Sequence, residues 1–229
     1  MKNVKAVLFD LDGTLVDSLP EIYEGVCRTA ADFGVKPPSK DEVGAMIGRG
    51  VVVLVDRLYA ALGLEEESVS RQAFLTTLVN HWSETNGRYI AFYPGVLDGI
   101  RALRSAGVMT ALVTNKLRSL TLKFIEERGI AELFSAVVAG DDCERNKPAP
   151  DMLWRALEEL GVEASDAVMV GDSRNDALAA RAAGVTAALV ETGYNEGVGM
   201  AEWAREAGFT KVYPSAKKVC DQIVVKGTL

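Results

Sequence analysis

The stretch Phe9-Asp10-Leu11-Asp12-Gly13-Thr14-Leu15-Val16-Asp17-Ser18 sets two carboxylates two residues apart at the end of a short apolar run, with a glycine and a hydroxyl directly after them. Residues 4–9 read as a strand buried on both faces, so Asp10 and Asp12 emerge together at its carboxyl end. Acids this close repel each other unless a cation or a shared proton relieves them. Their oxygens are hard donors and no cysteine or histidine stands nearby, which makes Mg2+ the expected relief. The same string is also compatible with an ordinary turn, because Asp and Gly both favour turns. An EF-hand calcium loop counted from Asp10 would use Glu21 as its last ligand. It is excluded because Leu15 occupies the position that needs glycine, and because a strand precedes the loop.

Whether this is a turn or a site depends on matching chemistry elsewhere in the chain. From Tyr93-Pro94-Gly95 onward, strand and helix signals alternate, the pattern of a parallel α/β sheet. Predicted strands at 108–113, 136–139, 167–170 and 186–190 are interleaved with predicted helices at 96–106, 117–128 and 151–160 and one ending at Ala183. The strand at 108–113 runs into Thr114-Asn115-Lys116, and the one at 136–139 into a loop carrying Lys147-Pro148. The strand at 167–170 runs into Gly171-Asp172-Ser173-Arg174-Asn175-Asp176. In an open parallel sheet, ligands bind beyond the carboxyl ends of the strands. Asp10, Asp12, Thr114, Asn115, Lys147, Asp172 and Asp176 therefore point to one site suited to phosphoryl transfer. In this reading Asp10 is the nucleophile and Asp12 the general acid and base. Lys147 holds Asp10 and the phosphoryl oxygens, Thr114 and Asn115 donate hydrogen bonds to the phosphate, and Asp172 completes the metal ligands. Asp176, one helical turn further on, supports the metal's waters or Lys147.

Between the first strand and Tyr93 the signals are helical. Ser18-Leu19-Pro20-Glu21 has the form of a capping box with proline in the first turn, opening a helix that runs to about Phe33. Ser39-Lys40-Asp41-Glu42 is a second such box, and further helices are expected at 51–62 and 68–85. The expected organisation is an α/β core, a Rossmann-like parallel sheet formed by residues 1–16 and 89–229, with an inserted four-helix, all-helical cap at 17–88. Residues 16–18 then serve as one strand of the hinge on which the cap closes. Inside the cap, Ile47-Gly48-Arg49-Gly50 is either a plain helix connection or a loop facing substrate, with Arg49 pairing an anionic group. His81, beside Trp82, is read as a packing or surface residue.

Composition narrows the partners. With 229 residues, 48% of them hydrophobic, the chain can bury a large core. A formal charge of −7 argues against nucleic-acid and anionic-membrane surfaces. The expected partner is a small-molecule phosphate ester, and the expected assembly is a monomer or homodimer. Three scattered cysteines, Cys27, Cys143 and Cys220, give no disulfide framework, and a cytoplasmic location is expected.

In this order and spacing, Asp10-Leu11-Asp12-Gly13-Thr14, Thr114-Asn115, Lys147-Pro148 and Gly171-Asp172 through Asp176 resemble the four motifs of the haloacid-dehalogenase-like hydrolase superfamily. The resemblance implies a phosphatase with magnesium bound by Asp10, the backbone carbonyl of Asp12, and Asp172. Asp12 weighs against dehalogenation, and a phospho-signalling receiver domain would have no helical insert of this size. Ile47 to Gly50, Gly171 to Asp176 and Thr192-Gly193-Tyr194-Asn195 are similar to members that hydrolyse 2-phosphoglycolate. Members acting on pyrophosphate or sugar phosphates, and phosphomutases, are the alternatives.

Overall fold

The computed structural model describes residues 3–229, so Met1 and Lys2, at the start of the expected core, lie outside the described residues. The chain begins with β1 (Ala6–Phe9) and β2 (Val16–Asp17). It continues through α1 (Leu19–Asp32), α2 (Lys40–Gly44), α3 (Val51–Leu62) and α4 (Arg71–Thr85), and returns along β3 (Ala91–Phe92). Alternation follows: α5 (Val96–Ser105), β4 (Met109–Val113), α6 (Arg118–Glu127), β5 (Ala136–Val138), α7 (Asp151–Leu160), β6 (Ala167–Gly171), α8 (Arg174–Ala183) and β7 (Thr186–Val190). The chain closes with α9 (Met200–Glu206), β8 (Val212–Tyr213) and α10 (Ala216–Lys226).

Six strands form one parallel sheet in the order β5-β4-β1-β6-β7-β8. From β1 the chain first builds outward on one side through β4 and β5, then crosses to build β6, β7 and β8 on the other. The switch point therefore lies beside β1, which sets the carboxyl ends of β1, β4 and β6 next to one another. Alternation along β1 explains its burial on both faces. Val7 and Phe9 pack into a core shared with α5, α6 and α10, while Ala6 and Leu8 pack against α7 and α8. Complete burial of a side chain such as Phe9 contributes about 1.5–3 kcal/mol.

The four helices α1–α4 gather around their own apolar cluster built on Val26, Leu58, Tyr59, Phe74 and Leu78, which Leu120 of α6 joins from the sheet layer. They are joined to the sheet layer through the antiparallel pair β2 and β3, with Val16 opposite Phe92. Two local expectations differ from what is observed. Helix α4 starts at Arg71 under a Ser70 cap, not at residue 68. Ser18 makes no side-chain cap, because its backbone is helical (φ −105°, ψ −3°) where a capping residue needs an extended one. The amides at the entrance to α1 are held from the core: Ser18 N and Leu19 N both donate to the Tyr194 hydroxyl at 2.9 Å. Glu21, released from capping, is buried and ties α1 to the returning linker. It accepts from Thr85 Oγ1 (2.6 Å), Gly87 N (2.9 Å) and Tyr89 N (3.0 Å).

Candidate active site

Directly after β1 the chain makes a tight turn in which Leu11 O accepts from Thr14, Leu15 and Val16 N. Gly13 occupies it with φ +90°, and a Cβ there would stand 2.3 Å from Asp172 Oδ2. A side chain at this position would be strained and would also push aside a carboxylate of the site. The turn leaves Asp10 buried at the strand end and Asp12 partly buried, both lining a cleft between the sheet and the helical layer.

Lys147 lies behind Asp10 with all three ammonium hydrogens engaged. Nζ donates to Asp10 Oδ1 (2.9 Å), Asp176 Oδ1 (2.6 Å) and Val113 O (2.7 Å). Its expected double task is therefore only half visible, since no N–H is left over for a phosphoryl oxygen and the side chain does not line the cleft. Burial works against this ammonium, but Asp10 and Asp176 outweigh burial and raise its pKa above the ordinary lysine value. The Lys147 loop is fixed by Asn115, which accepts from Lys147 N (3.1 Å) and donates to Lys147 O (2.9 Å). Asn115 Nδ2 also donates to Gly48 O (3.0 Å) in the helical layer. The Asn115 side chain is thus a strut rather than a free phosphate donor. Thr114 Oγ1 accepts from Lys116 N (3.2 Å), so its own hydrogen is left to donate into the cleft it lines.

Asp172 follows β6. Thr14 Oγ1 donates to its Oδ1 (2.7 Å) and Tyr194 N to its Oδ2 (3.0 Å). Asp176 is committed on both oxygens: Lys147 holds one, while Ser173 N (3.1 Å) and Ser173 Oγ (2.6 Å) hold the other as the capping box of α8. Asp176 thus supports Lys147 directly.

Asp10, Asp172 and Asp176 each bring one oxygen to within 4.8 Å of the others, and all three residues are buried. Three carboxylates against the single ammonium of Lys147 leave an excess of two negative charges if all are ionised. The strain falls on the two acids with the fewest donors. Burial, reinforced by Asp176 and Asp12 and opposed by Lys147, leaves the Asp10 carboxyl pushed up to about 7. Burial, with Asp10 and Asp176, raises Asp172 well above the usual carboxylate range. An all-oxygen donor set with this excess charge fits a divalent cation held by Asp10 and Asp172, Asp176 being already satisfied.

Arg49 is not brought to this site. Gly48 and Gly50 line the cleft, while the Arg49 side chain is exposed and makes no contact with it. The loop turns its backbone inward, since Gly48 O accepts from Asn115 Nδ2 and also from Asn175 Nδ2 (3.4 Å), and this directs the intervening side chain to solvent. His81 is also remote: its Nε2 is 2.7 Å from Asp32 Oδ2 at the end of α1.

Three residues that had no assigned role do belong to the site. Thr14 orients Asp172. Lys116 lines the cleft with Nζ at 3.2 and 3.3 Å from the two oxygens of Asp12. Tyr194 connects Asp172, through its amide, to the start of α1, through its hydroxyl, which also donates to Asp17 Oδ1 (2.7 Å). Each sits in or beside a motif already visible: Thr14 after Asp12-Gly13, Lys116 after Thr114-Asn115, and Tyr194 within Thr192-Gly193-Tyr194-Asn195 in the loop after β7.

Known proteins share both sequence and architecture with this chain. The phosphoglycolate phosphatase of Cupriavidus necator is 41% identical over 189 residues, which cover 82% of this chain and 81% of that protein. That of Nitrosospira multiformis is 34% identical over 217 residues, 94% of this chain and 96% of the other. A crystal structure from Haemophilus somnus, described as a predicted phosphoglycolate phosphatase, superimposes with a TM-score of 0.89 at 27% identity and covers 96% of this chain and 98% of its own. A family model for haloacid dehalogenase-like hydrolases matches residues 7–190, and the chain belongs to that family.

Proposed function

We propose that the protein is a Mg2+-dependent phosphomonoesterase that hydrolyses 2-phosphoglycolate to glycolate and phosphate through an aspartyl-phosphate on Asp10. The observation that carries this reading is the fixed Asp10 carboxylate, gripped by Lys147 at 2.9 Å, with a second acid two residues on lining the same cleft. The relatives named phosphoglycolate phosphatase support the choice of substrate.

In the first step an Asp10 oxygen attacks phosphorus, the bond from phosphorus to the ester oxygen breaks, and Asp12 gives a proton to the departing alkoxide. In the second step Asp12 takes a proton from water as that water attacks phosphorus, which frees phosphate and restores Asp10. Lys147 keeps Asp10 aimed by holding Oδ1, and Asp176 and Val113 O keep Lys147 in place. Thr114 donates to the phosphoryl group from the end of β4. When held by Asp10, Asp172 and the carbonyl of Asp12, Mg2+ supplies the positive charge that offsets the excess carboxylate charge and that of the phosphoryl oxygens. The helical layer, hinged at β2 and β3 and braced by Glu21 and Tyr194, closes over the cleft to exclude bulk water.

The deciding measurement is phosphate release with Mg2+ over 2-phosphoglycolate, pyrophosphate, sugar phosphates and nucleotides, with isomer formation followed for hexose 1-phosphate. The highest kcat/KM is expected on 2-phosphoglycolate. Faster release from another ester would replace the substrate, and isomer without free phosphate would replace hydrolysis by a mutase. Because its side chain leaves the cleft, Arg49→Ala is expected to change KM by no more than about twofold for any of these esters. A selective rise for 2-phosphoglycolate in steady-state kinetics would return Arg49 to the site.

A further inference from the structure

We propose that Lys116 is the residue that recognises the carboxylate of the substrate, an inference that rests on 2-phosphoglycolate being that substrate. The charged side chains lining the cleft are Asp10, Asp12, Glu21 and Lys116. Lys116 is thus the single cationic side chain among the described residues of the lining. Lys147 is spent behind Asp10, and Arg49 faces solvent. A substrate with a second anionic group beyond its phosphate has no other positive side chain of the lining to meet.

Covalent structure puts that group in the right place. In 2-phosphoglycolate the carboxylate carbon is two bonds from the ester oxygen, and the ester oxygen must approach Asp12 to receive its proton. The carboxylate is therefore presented beside Asp12, where the Lys116 ammonium already stands at 3.2 and 3.3 Å from the two Asp12 oxygens. Both of those contacts are long for a charge-assisted bond, and both go to one carboxylate, so a hydrogen on the ammonium is left to donate to a second. The side chain is held rather than free to wander, with only 14% exposure, beside an apolar wall of Leu117 and Leu120. An ester bearing a methyl group in place of the carboxylate meets the same wall but leaves the ammonium unanswered. The preferred substrates are accordingly short phosphate esters with a carboxylate on the ester carbon.

The test compares 2-phosphoglycolate with ethyl phosphate, its counterpart of equal chain length with methyl replacing carboxylate, on the full chain with Mg2+. Lys116→Met is expected to lower kcat/KM for 2-phosphoglycolate about 10- to 100-fold more than for ethyl phosphate. Lys116→Arg should recover most of that preference. Inhibition by glycolate should weaken in Lys116→Met, whereas inhibition by inorganic phosphate should not. Equal losses on both esters with unchanged glycolate inhibition would mean that Lys116 acts only by placing Asp12, and would overturn the proposal while leaving the substrate assignment intact. A wild-type protein that hydrolyses other esters but not 2-phosphoglycolate would overturn both. Should Lys116→Met not fold, Lys116→Gln carries the same comparison.

Discussion

Asp10→Asn is expected to reduce phosphate release by roughly 10⁴-fold or more, which corresponds to a loss of about 5 kcal/mol or more of transition-state stabilisation. The amide has nearly the shape of the carboxylate and its oxygen can still accept from Lys147, so the packing at the end of β1 is retained. What it lacks is the anionic oxygen that bonds to phosphorus. The substitution also removes one of the three buried negative charges gathered at the site, so the cation-free protein should unfold at a higher temperature than wild type. Lost turnover together with retained or raised thermal stability is the signature of a chemical role. Rapid quenching with intact-mass analysis should find a phosphorylated wild-type chain and none in Asp10→Asn. Near-normal turnover in the variant would remove Asp10 as nucleophile, and an equally inactive but unfolded variant would reduce it to a structural residue.

The sequence made the site legible where a residue's place is set by the strand it follows. Asp10, Thr114 and Asp172 stand at the ends of apolar runs and Lys147 in the loop that follows one, and in a parallel sheet those ends meet once the strand order reverses beside β1. Side-chain direction was less accessible, because it depends on partners far along the chain. Ser18 shows the reason. Its spacing to Glu21 satisfies the capping-box rule as well as that of Ser39 to Glu42, and the second pair does form the box. At Ser18 the local rule loses to Tyr194, 176 residues away, whose hydroxyl takes the Ser18 amide that Glu21 would have held in a capping box, and the Leu19 amide besides. Arg49 failed for a related cause. A guanidinium between two glycines suggests a ligand, but the carbonyl of Gly48 is the group turned inward. Lys116 was hidden by its ordinary position after a motif, and only the cleft reveals that no other cationic side chain among the described residues lines it.

Lys147→Met should be the most destabilising single substitution in the site, because it leaves Asp10 and Asp176 buried without the ammonium that compensates them. Removing one partner of a buried ion pair costs about 3–5 kcal/mol, and here one ammonium serves two carboxylates. The dependence on pH follows from the raised carboxyls. With Asp10 at about 7 in the folded chain, against about 4 when unfolded, the folded state holds a proton that the unfolded state releases across that interval. Stability of the cation-free wild-type protein should therefore be fully present below pH 4 as far as this group is concerned, and should be lost as pH rises toward 7. Loss of Lys147 removes the main influence that lowers the Asp10 pKa, so the variant should fall further, over a window that still opens near pH 4 but extends to higher pH. Thermal unfolding in chelator at pH 5 and pH 8 is expected to show a small deficit for Lys147→Met at the lower pH and a large one at the higher. Adding Mg2+ at pH 8 should narrow the gap, because a bound cation would offset the same excess negative charge. A deficit that is equal at both pH values and indifferent to the cation would show that Lys147 serves the loop as a packing residue, and that charge balance does not hold this site together.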